Sequence, residues 1–469
     1  MKKVWLAAAG LFLFWTAIGM LRYQSFDFFD WDLALAANDL WLLSHGETLS
    51  PLRQMPVWGA HAHGIAFLLA PLYRLLPSPL LLLGLKGLAA GLTLPLLVRI
   101  TQEQLGDRRL TICIAIGFFL YPAFSHALFH EFNYEALAAL PLLAMIGGLL
   151  SGRFRWFLLG SAGALLLKEN LALAVLLLGG AGSWLHRGRG GAWRWGVVGA
   201  AAAGWLALYL AWIAPGARGT AEAVHWSYYG RLGGTPPEVL AGLLNPAATW
   251  AALQKPGVPF WLWQLFAPTG GLVLFGIPGL LPAIPFLLIQ LHADTIRMQS
   301  IYFHYGAVWT PFVFLAVILG VKTLQSRLRD SIQAGRLIGS WLLFCALLTQ
   351  ISWGPLARLA ADPNHLIPDA SDRRRAGWIA QIPSEASVYG SHRYLSHLTN
   401  RPRLYGPHAQ AEIPADAAYM LLDLEDPIAP TRMDPELETA DALATYLDQQ
   451  GWELLGRTAT EFFLRRKDS

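Results

Sequence analysis

The stretch Leu337–Trp353 reads LIGSWLLFCALLTQISW, and soon after it the chain turns charged, at Asp372-Arg373-Arg374-Arg375. That change decides the fold. An uncharged apolar run of this kind suits a membrane-crossing helix, which needs about 17–25 residues to span a hydrocarbon core of roughly 30 Å. Upstream the same kind of run recurs, at Val4–Leu21, Pro79–Val98, Leu110–Leu128, Ala136–Leu150, Trp156–Leu167, Leu171–Leu185, Gly196–Ala214, Pro259–Phe275, Pro278–Leu291 and Ala307–Leu324. With Leu337–Trp353 itself, these are the candidate spans. Several are too short for a perpendicular crossing, and the pair Trp156–Leu167 and Leu171–Leu185 reads as a bent hairpin buried against its neighbours. Downstream the apolar runs shrink to strand length at Ala386–Tyr389, Tyr419–Leu424 and Glu461–Leu464, with helical patterns at Arg373–Gln381 and Ala440–Gln450. The expected architecture is an α-helical polytopic membrane body over 1–354, with about 11 spans, and a small α/β soluble domain over 355–469.

Composition points the same way. Of 469 residues, 55% are hydrophobic and only 14% charged, where a soluble domain carries about 25%. The mean hydropathy is +0.40. Twenty tryptophans suit helices that meet the membrane–water interface. The net charge of +4 then reports orientation and not nucleic-acid binding, so no nucleic-acid partner is expected. Cys113 and Cys345 both lie in apolar runs and read as small hydrophobes. The first apolar run follows Lys2 and Lys3 but lacks a small-residue cleavage site, so it reads as a retained span and not a cleaved signal.

Lysine and arginine set the orientation. The clusters Lys2/Lys3, Arg99/Arg108/Arg109, Arg153/Arg155, Arg187/Arg189/Arg194 and Lys322/Arg327/Arg329/Arg336 fall on one side when the spans alternate, provided His61–Leu76 is a helix lying on the outer surface. By the positive-inside rule that side is cytoplasmic. The N-terminus is then cytoplasmic. The first loop over 22–77, the segments Phe129–Glu135, Pro215–Val258 and His292–Tyr305, and the C-terminal domain are extracytoplasmic.

The outer side collects the candidate chemistry. The first loop carries Asp27, Asp30 and Asp32 among aromatics, then Asp39, and its Leu33–Leu43 stretch reads as an amphipathic helix along the membrane surface. Solvated loop charge is the bland alternative. Glu131 and Glu135 stand four apart, on one face if helical. Ionisable groups at that depth default to function, although Glu135 also fits as a cap for the next helix. Lys168 and Glu169 sit at the outer turn of the short hairpin, where simple mutual pairing competes with a phosphate-holding role for the lysine. Arg297, His304 and Tyr305, and Arg231 beside Tyr228 and Tyr229, could contact phosphate or anchor the interface. His61 is a weaker candidate, and spacing alone makes none of these a metal site. Carboxylates and cations converging beside lipid suit a general base and a lipid phosphate ligand.

Several of these segments resemble a family of prokaryotic membrane proteins, DUF2079. They are Trp31-Asp32-Leu33 with Leu40-Trp41 and His45-Gly46; Leu69–Tyr73; Leu120–Ala123; Phe132–Leu137; Lys168–Leu171; Tyr229–Gly233; Asn245-Pro246; Ile301–Tyr305; and Asn400–Arg403. The order is kept over nearly the whole chain. That family is grouped with the C-type glycosyltransferases (GT-C), so the resemblance implies a multi-span enzyme of the inner membrane using a polyprenyl-phosphate sugar donor. It implies Asp32 as catalytic base or acceptor-orienting group, Glu135 as a second catalytic acid, and a divalent cation, Mg²⁺ or Mn²⁺, near them. Asp30, Asp39, His61, Glu131, Lys168, Glu169, Arg231, Arg297, His304 and Tyr305 are the candidate substrate contacts. The sequence departs from the family pattern at Ala37, Ala60, Asn133 and Asn170, where polar or acidic residues are usual, and these losses count against the metal. The expected function is sugar transfer at the outer face of the membrane to an acceptor that is a glycan, lipid or protein. The alternative is a non-catalytic protein that binds lipid-linked sugar or assembles the envelope. A transporter is disfavoured, because the polar residues gather at one face and no inverted repeat is evident.

Overall fold

The computed structural model describes residues 1–29, 31–220, 226–328, 331–410, 412–426 and 440–467. Its helices gather into a membrane body, and the C-terminal residues form a smaller lobe around one sheet. Among the described residues, six helices are long and apolar enough to cross a membrane: Lys2–Gln24, Leu80–Leu105, Tyr134–Ser151, Trp193–Arg218, Gly306–Arg327 and Gln333–Trp353. A seventh crossing results if Arg108–Leu120 and Pro122–Phe129, bent by 51°, count as one. The bend follows from Pro122, which lacks an N–H and pushes Tyr121 into the extended region.

The body therefore has fewer full-length spans than the eleven apolar runs, for two local reasons. Trp156–Leu167 lies in Phe154–Leu167, whose 14 residues reach only about 21 Å. It is parted from the next helix by Lys168, whose backbone is extended. The Pro259–Phe275 run is helical only to Phe266, because Gly270 (φ 60°) and Gly271 (φ 77°) turn the chain where Trp341 Nε1 donates to Gly270 O at 2.9 Å. Elsewhere the body packs closely through small residues. On Leu80–Leu105, Gly87 and Gly91 lie so near Phe12, Thr16 and Ala8 of the first helix that a Cβ at either would collide.

Two outer helices behave differently. Gly64–Leu75 exposes Phe67, Leu68, Leu72 and Leu75, as a helix lying on the surface should. Asp32–Ser44 does not lie on the membrane surface, contrary to its pattern, for it is buried almost all round. Leu33, Ala36, Ala37 and Leu40 pack into the body's core. Ala34 and Leu35 pack with Tyr394, Leu395 and Leu398 of the C-terminal lobe. Asn38 Nδ2 donates to the carbonyls of Thr399 and Arg401, at 2.8 and 3.1 Å. An apolar stripe reads as lipid-facing when nothing in the sequence says that a second layer will cover it.

That second layer is a five-stranded sheet in the order 404–405, 388–390, 419–423, 461–466, 452–457. The first three strands are parallel and the last two pairings antiparallel. Helix Ala370–Ile379 starts from a capping box of Asp369 and Asp372, and Ala440–Gln449 packs on the sheet beside strand 452–457. The lobe is fastened to the body around residues 396–401. Tyr73 Oη donates to Asn400 Oδ1 at 2.9 Å, and Asn400 Nδ2 donates to Pro77 O at 2.6 Å. His397 is sandwiched between Tyr23 and Phe26, with centroids 4.0 and 3.9 Å away.

Burial holds His397 neutral and lowers its pKa from 6.5 to about 3. An unfolded or undocked chain binds that proton from pH 6.5 downward while the docked one resists it, so docking is stabilised above pH 6.5 and weakens progressively towards about pH 3. The expected outcome is a thermal midpoint that falls on acidification through this window, with part of the slope removed in His397→Phe, which keeps a ring in the sandwich. An identical acid slope in that variant would contradict this account.

Candidate active site

Asp32 opens the buried helix, where the positive helix end favours a carboxylate. The turn that faces it follows the end of Pro122–Phe129, at His130 to Asn133. Asn133 Nδ2 donates to Asp32 Oδ2 at 3.0 Å, and His130 Nε2 lies 3.3 Å from the same oxygen. His304 Nδ1 approaches it at 3.2 Å from the start of the Gly306–Arg327 span. Burial alone would push the Asp32 carboxyl up, but the contacts and electrostatic pull of His130 and His304 outweigh it and hold the group well below the usual carboxylate range.

The other side of His304 faces Glu135. Its Nε2 is 3.3 Å from Glu135 Oε2. Glu135 Oε1 is 2.9 Å from Lys168 Nζ and accepts from Asn170 Nδ2 at 3.2 Å. The cap of this segment is Asn133, whose Oδ1 accepts from Glu135 N at 3.0 Å, so the Glu135 carboxylate is released for the cavity. Lys168 and Glu169 do not pair with each other. Glu169 instead meets His61 Nδ1 and Ala62 N, both at 2.9 Å. Basic and acidic side chains thus alternate from His130 through Asp32, His304 and Glu135 to Lys168. Among the described residues Glu135 Oε2 and His304 Nδ1 are buried without a well-formed hydrogen bond. Buried atoms in that condition have a destabilising cost unless something is bound there.

These groups wall a cavity of about 690 Å³ that His408 and Ala409 of the C-terminal lobe also line. Asp32, Glu135, His61, Lys168, Glu169, Arg297, His304 and Tyr305 line it as well. Arg297 is exposed, rests over the Phe303 ring at 5.9 Å and has no carboxylate partner among the described residues. The remaining candidates sit apart. Glu131 points away from Glu135, because the chain is not helical between them, and its Oε2 accepts from Leu33 N at 3.2 Å. Asp39 is buried against Arg53 at 2.8 Å. Arg231 is taken up by Asp294 and His292 O and does not line the cavity. Asp30 lies outside the described residues.

Four site residues were not among the candidates from the sequence, where Asn133 stood only as a departure from the family pattern. His130 and Asn133 hold Asp32. Arg53 brings a cation to the wall from a loop. Lys86 is fully buried in the Leu80–Leu105 span, and its Nζ donates to the carbonyls of His130 and Glu131. One lysine inside an apolar run was a legible signal, since charge at that depth is costly and needs a partner.

The family model of predicted membrane proteins DUF2079 matches residues 22–452. No curated protein matches the chain. Among solved structures, ArnT from Cupriavidus metallidurans bound to undecaprenyl phosphate aligns over 98% of this chain and 97% of its own, at 11% identity and a TM-score of 0.54. The apo form of ArnT covers 98% of both chains at 11% identity, with a TM-score of 0.49. At that identity the likeness to the lipid-bound form is one of fold.

The Lys86 clamp gives a direct test. In Lys86→Met the two carbonyls lose their donor in a water-poor interior, which costs on the order of 1–3 kcal/mol. Thermal unfolding in lipid nanodiscs should show a lower midpoint than wild type. An unshifted midpoint would mean that the 130–131 turn holds itself.

Proposed function

Because the chain belongs to the DUF2079 family of predicted membrane proteins, and shares its fold with a protein crystallised with undecaprenyl phosphate, we propose that it is a GT-C-type glycosyltransferase. It takes a sugar from a polyprenyl phosphate carrier and passes it to an acceptor at the outer face of the cytoplasmic membrane. The observation that carries this reading is Asp32, held by Asn133, His130 and His304 on a cavity wall that also holds Arg297 and the Glu135–Lys168 pair.

The chemistry follows from those positions. An acceptor hydroxyl approaches Asp32, and its oxygen attacks the anomeric carbon of the donor sugar. Asp32 takes the proton as that bond forms. The anomeric carbon–oxygen bond to the carrier breaks, and the polyprenyl phosphate leaves with the electron pair. Arg297 meets the phosphate charge, with Lys168 close by but shared with Glu135. Asn133 and Asn170, which stand where the family usually carries a histidine and an acid, both donate to the catalytic carboxylates and favour their ionised forms.

A divalent cation also belongs to this reading. Asp32, His130 and His304 offer three ligand atoms within 4.8 Å of one another, and the unsatisfied Glu135 Oε2 adjoins them. Of the Mg²⁺ or Mn²⁺ that the family resemblance implies, two imidazoles suit Mn²⁺ better, and they suit Zn²⁺ as well. A bound ion would supply positive charge against the leaving phosphate.

Two measurements test the proposal. In Asp32→Asn, sugar transfer from the purified chain should fall by about 10²–10⁴, the usual worth of a general base, with undecaprenyl phosphate still bound. Transfer at the wild-type rate would remove Asp32 from the mechanism, and carrier binding without turnover in the wild type would favour the non-catalytic alternative. For the cation, titration calorimetry with Zn²⁺ and Mn²⁺ should show one site in the wild type and none in His304→Ala. Equal binding in both would place any ion elsewhere.

A further inference from the structure

One end of the cavity has no part in the proposed transfer. Phe286 and Ile289 of the helix Ile284–His292 line it, and so does Val308 of the Gly306–Arg327 span. The Phe286 ring is stacked on Phe312, with centroids 6.5 Å apart. One turn nearer the 293–305 connection on each helix stand Gln290 and Val308, and both line the cavity. Val308 in turn comes about one turn after His304, which touches Asp32 and Glu135. This end therefore adjoins the Asp32–Glu135 centre, and of these four wall residues only Gln290 is polar.

Gln290 is 5% exposed, and its Oε1 is buried with no hydrogen-bond partner among the described residues. A polar group in that condition is destabilising unless something bonds to it. The backbone that carries it is held from outside. Gln299 Nε2 donates to Gln290 O at 3.3 Å and to Leu291 O and Ala293 O at 2.9 Å. Lys255 Nζ donates to the same carbonyls of Leu291 and Ala293 at 3.0 Å. A cation and an amide thus take up carbonyls that a helix end leaves unpaired. The helix end is fixed, while rotation about the last side-chain bond, which is soft in glutamine, turns either end of the amide to the cavity.

The chemistry of an open amide narrows its ligand. Oε1 only accepts, so the ligand must bring an N–H or O–H, which an ionised phosphodiester lacks. The amide nitrogen needs an acceptor beside that donor. A second amide supplies both. The apolar walls separate it from a bare hydroxyl, because Phe286, Ile289 and Val308 offer nothing to a hydroxyl but a surface to a methyl group. An N-acetyl group carries the amide and the methyl together.

We propose that Gln290, with Phe286, Ile289 and Val308, is the subsite for an acetamido group, and that the donor is a polyprenyl-phosphate-linked 2-acetamido sugar. The proposal rests on the glycosyltransferase reading, and a substituent at C2 sits beside the anomeric carbon as this end sits beside Asp32. Binding to the full chain in lipid nanodiscs is measured for undecaprenyl phosphate and for two matched pairs on the same carrier, glucose with N-acetylglucosamine and galactose with N-acetylgalactosamine. Within at least one pair the acetamido sugar should bind about tenfold tighter, the worth of one buried hydrogen bond, in the wild type and in Asp32→Asn. In Gln290→Met that advantage should vanish while the bare carrier binds as before. Methionine removes the open amide and keeps the volume, so the fold is preserved. Ile289 is half-buried, and Ile289→Ala, which strips the methyl's wall, should cut the advantage by about threefold and keeps the test valid if the first variant fails to fold. Equal binding within both pairs, an advantage that persists in both variants, or an equal loss for every lipid in Gln290→Met at an unshifted thermal midpoint would each overturn the proposal. The bare carrier separates the two ideas. Carrier binding without an acetamido preference sinks the subsite alone, the preference without transfer to any acceptor sinks the catalytic reading alone, and failure of all five lipids to bind sinks both.

Discussion

A charge held away from water must be answered by another charge or by a dipole, and the site is arranged around that constraint. His130, Asp32, His304, Glu135 and Lys168 form a succession in which every carboxylate touches at least one cation-forming group. The backbone is arranged to serve it. Pro122–Phe129 stops short so that the 130–133 turn can face Asp32, the chain is extended at Lys168 where two short helices meet, and Lys86 holds the turn from inside the body. Shortened helices are thus part of the site. Two of them end just before polar side chains of the site, His130 and Lys168.

The same constraint explains why the body and the lobe share a wall. Helix Asp32–Ser44 has no water-facing side: one face lies in the body's core and the other in the lobe's. Its polar residues are satisfied across that boundary, Asn38 by the carbonyls of Thr399 and Arg401, and Asp39 by Arg53. The lobe is therefore fastened to the element that begins with Asp32. A shift of the lobe would be felt at the carboxylate through the helix, without any flexible linker between them.

Much of this was legible in the sequence where the signal was local. Membrane residence follows from apolar runs, and a tail of different character follows from charge. Asp32, Glu135, Lys168 and His304 stood out because ionisable residues are scarce among their neighbours. What escaped depended on partners far away in the chain. Glu131 and Glu135 share a spacing but not a direction, because the helix ends before them. Leu33–Leu43 has a lipid-facing pattern, yet the covering layer comes from residues more than 350 positions later. Arg53 is an ordinary loop arginine until Asp39 and the cavity wall fix it. The Asn400–Arg403 motif carried no visible chemistry, and the structure gives it a mechanical role: Asn400 joins Tyr73 to Pro77, and Arg401 ties its own loop through three carbonyls.

The fastening at residues 396–401 also bears on how the molecule is made. Tyr23, Phe26 and Asn38 leave the ribosome hundreds of residues before His397, Thr399 and Arg401. Membrane helices insert as they are synthesised, but contacts of such long sequence separation form last. Until then the helix that begins with Asp32 lacks one of its two packing layers, and the cavity lacks its roof. A chain that stops short of the lobe can be inserted and still have no site. The cavity is therefore complete only once the lobe has been made and docked.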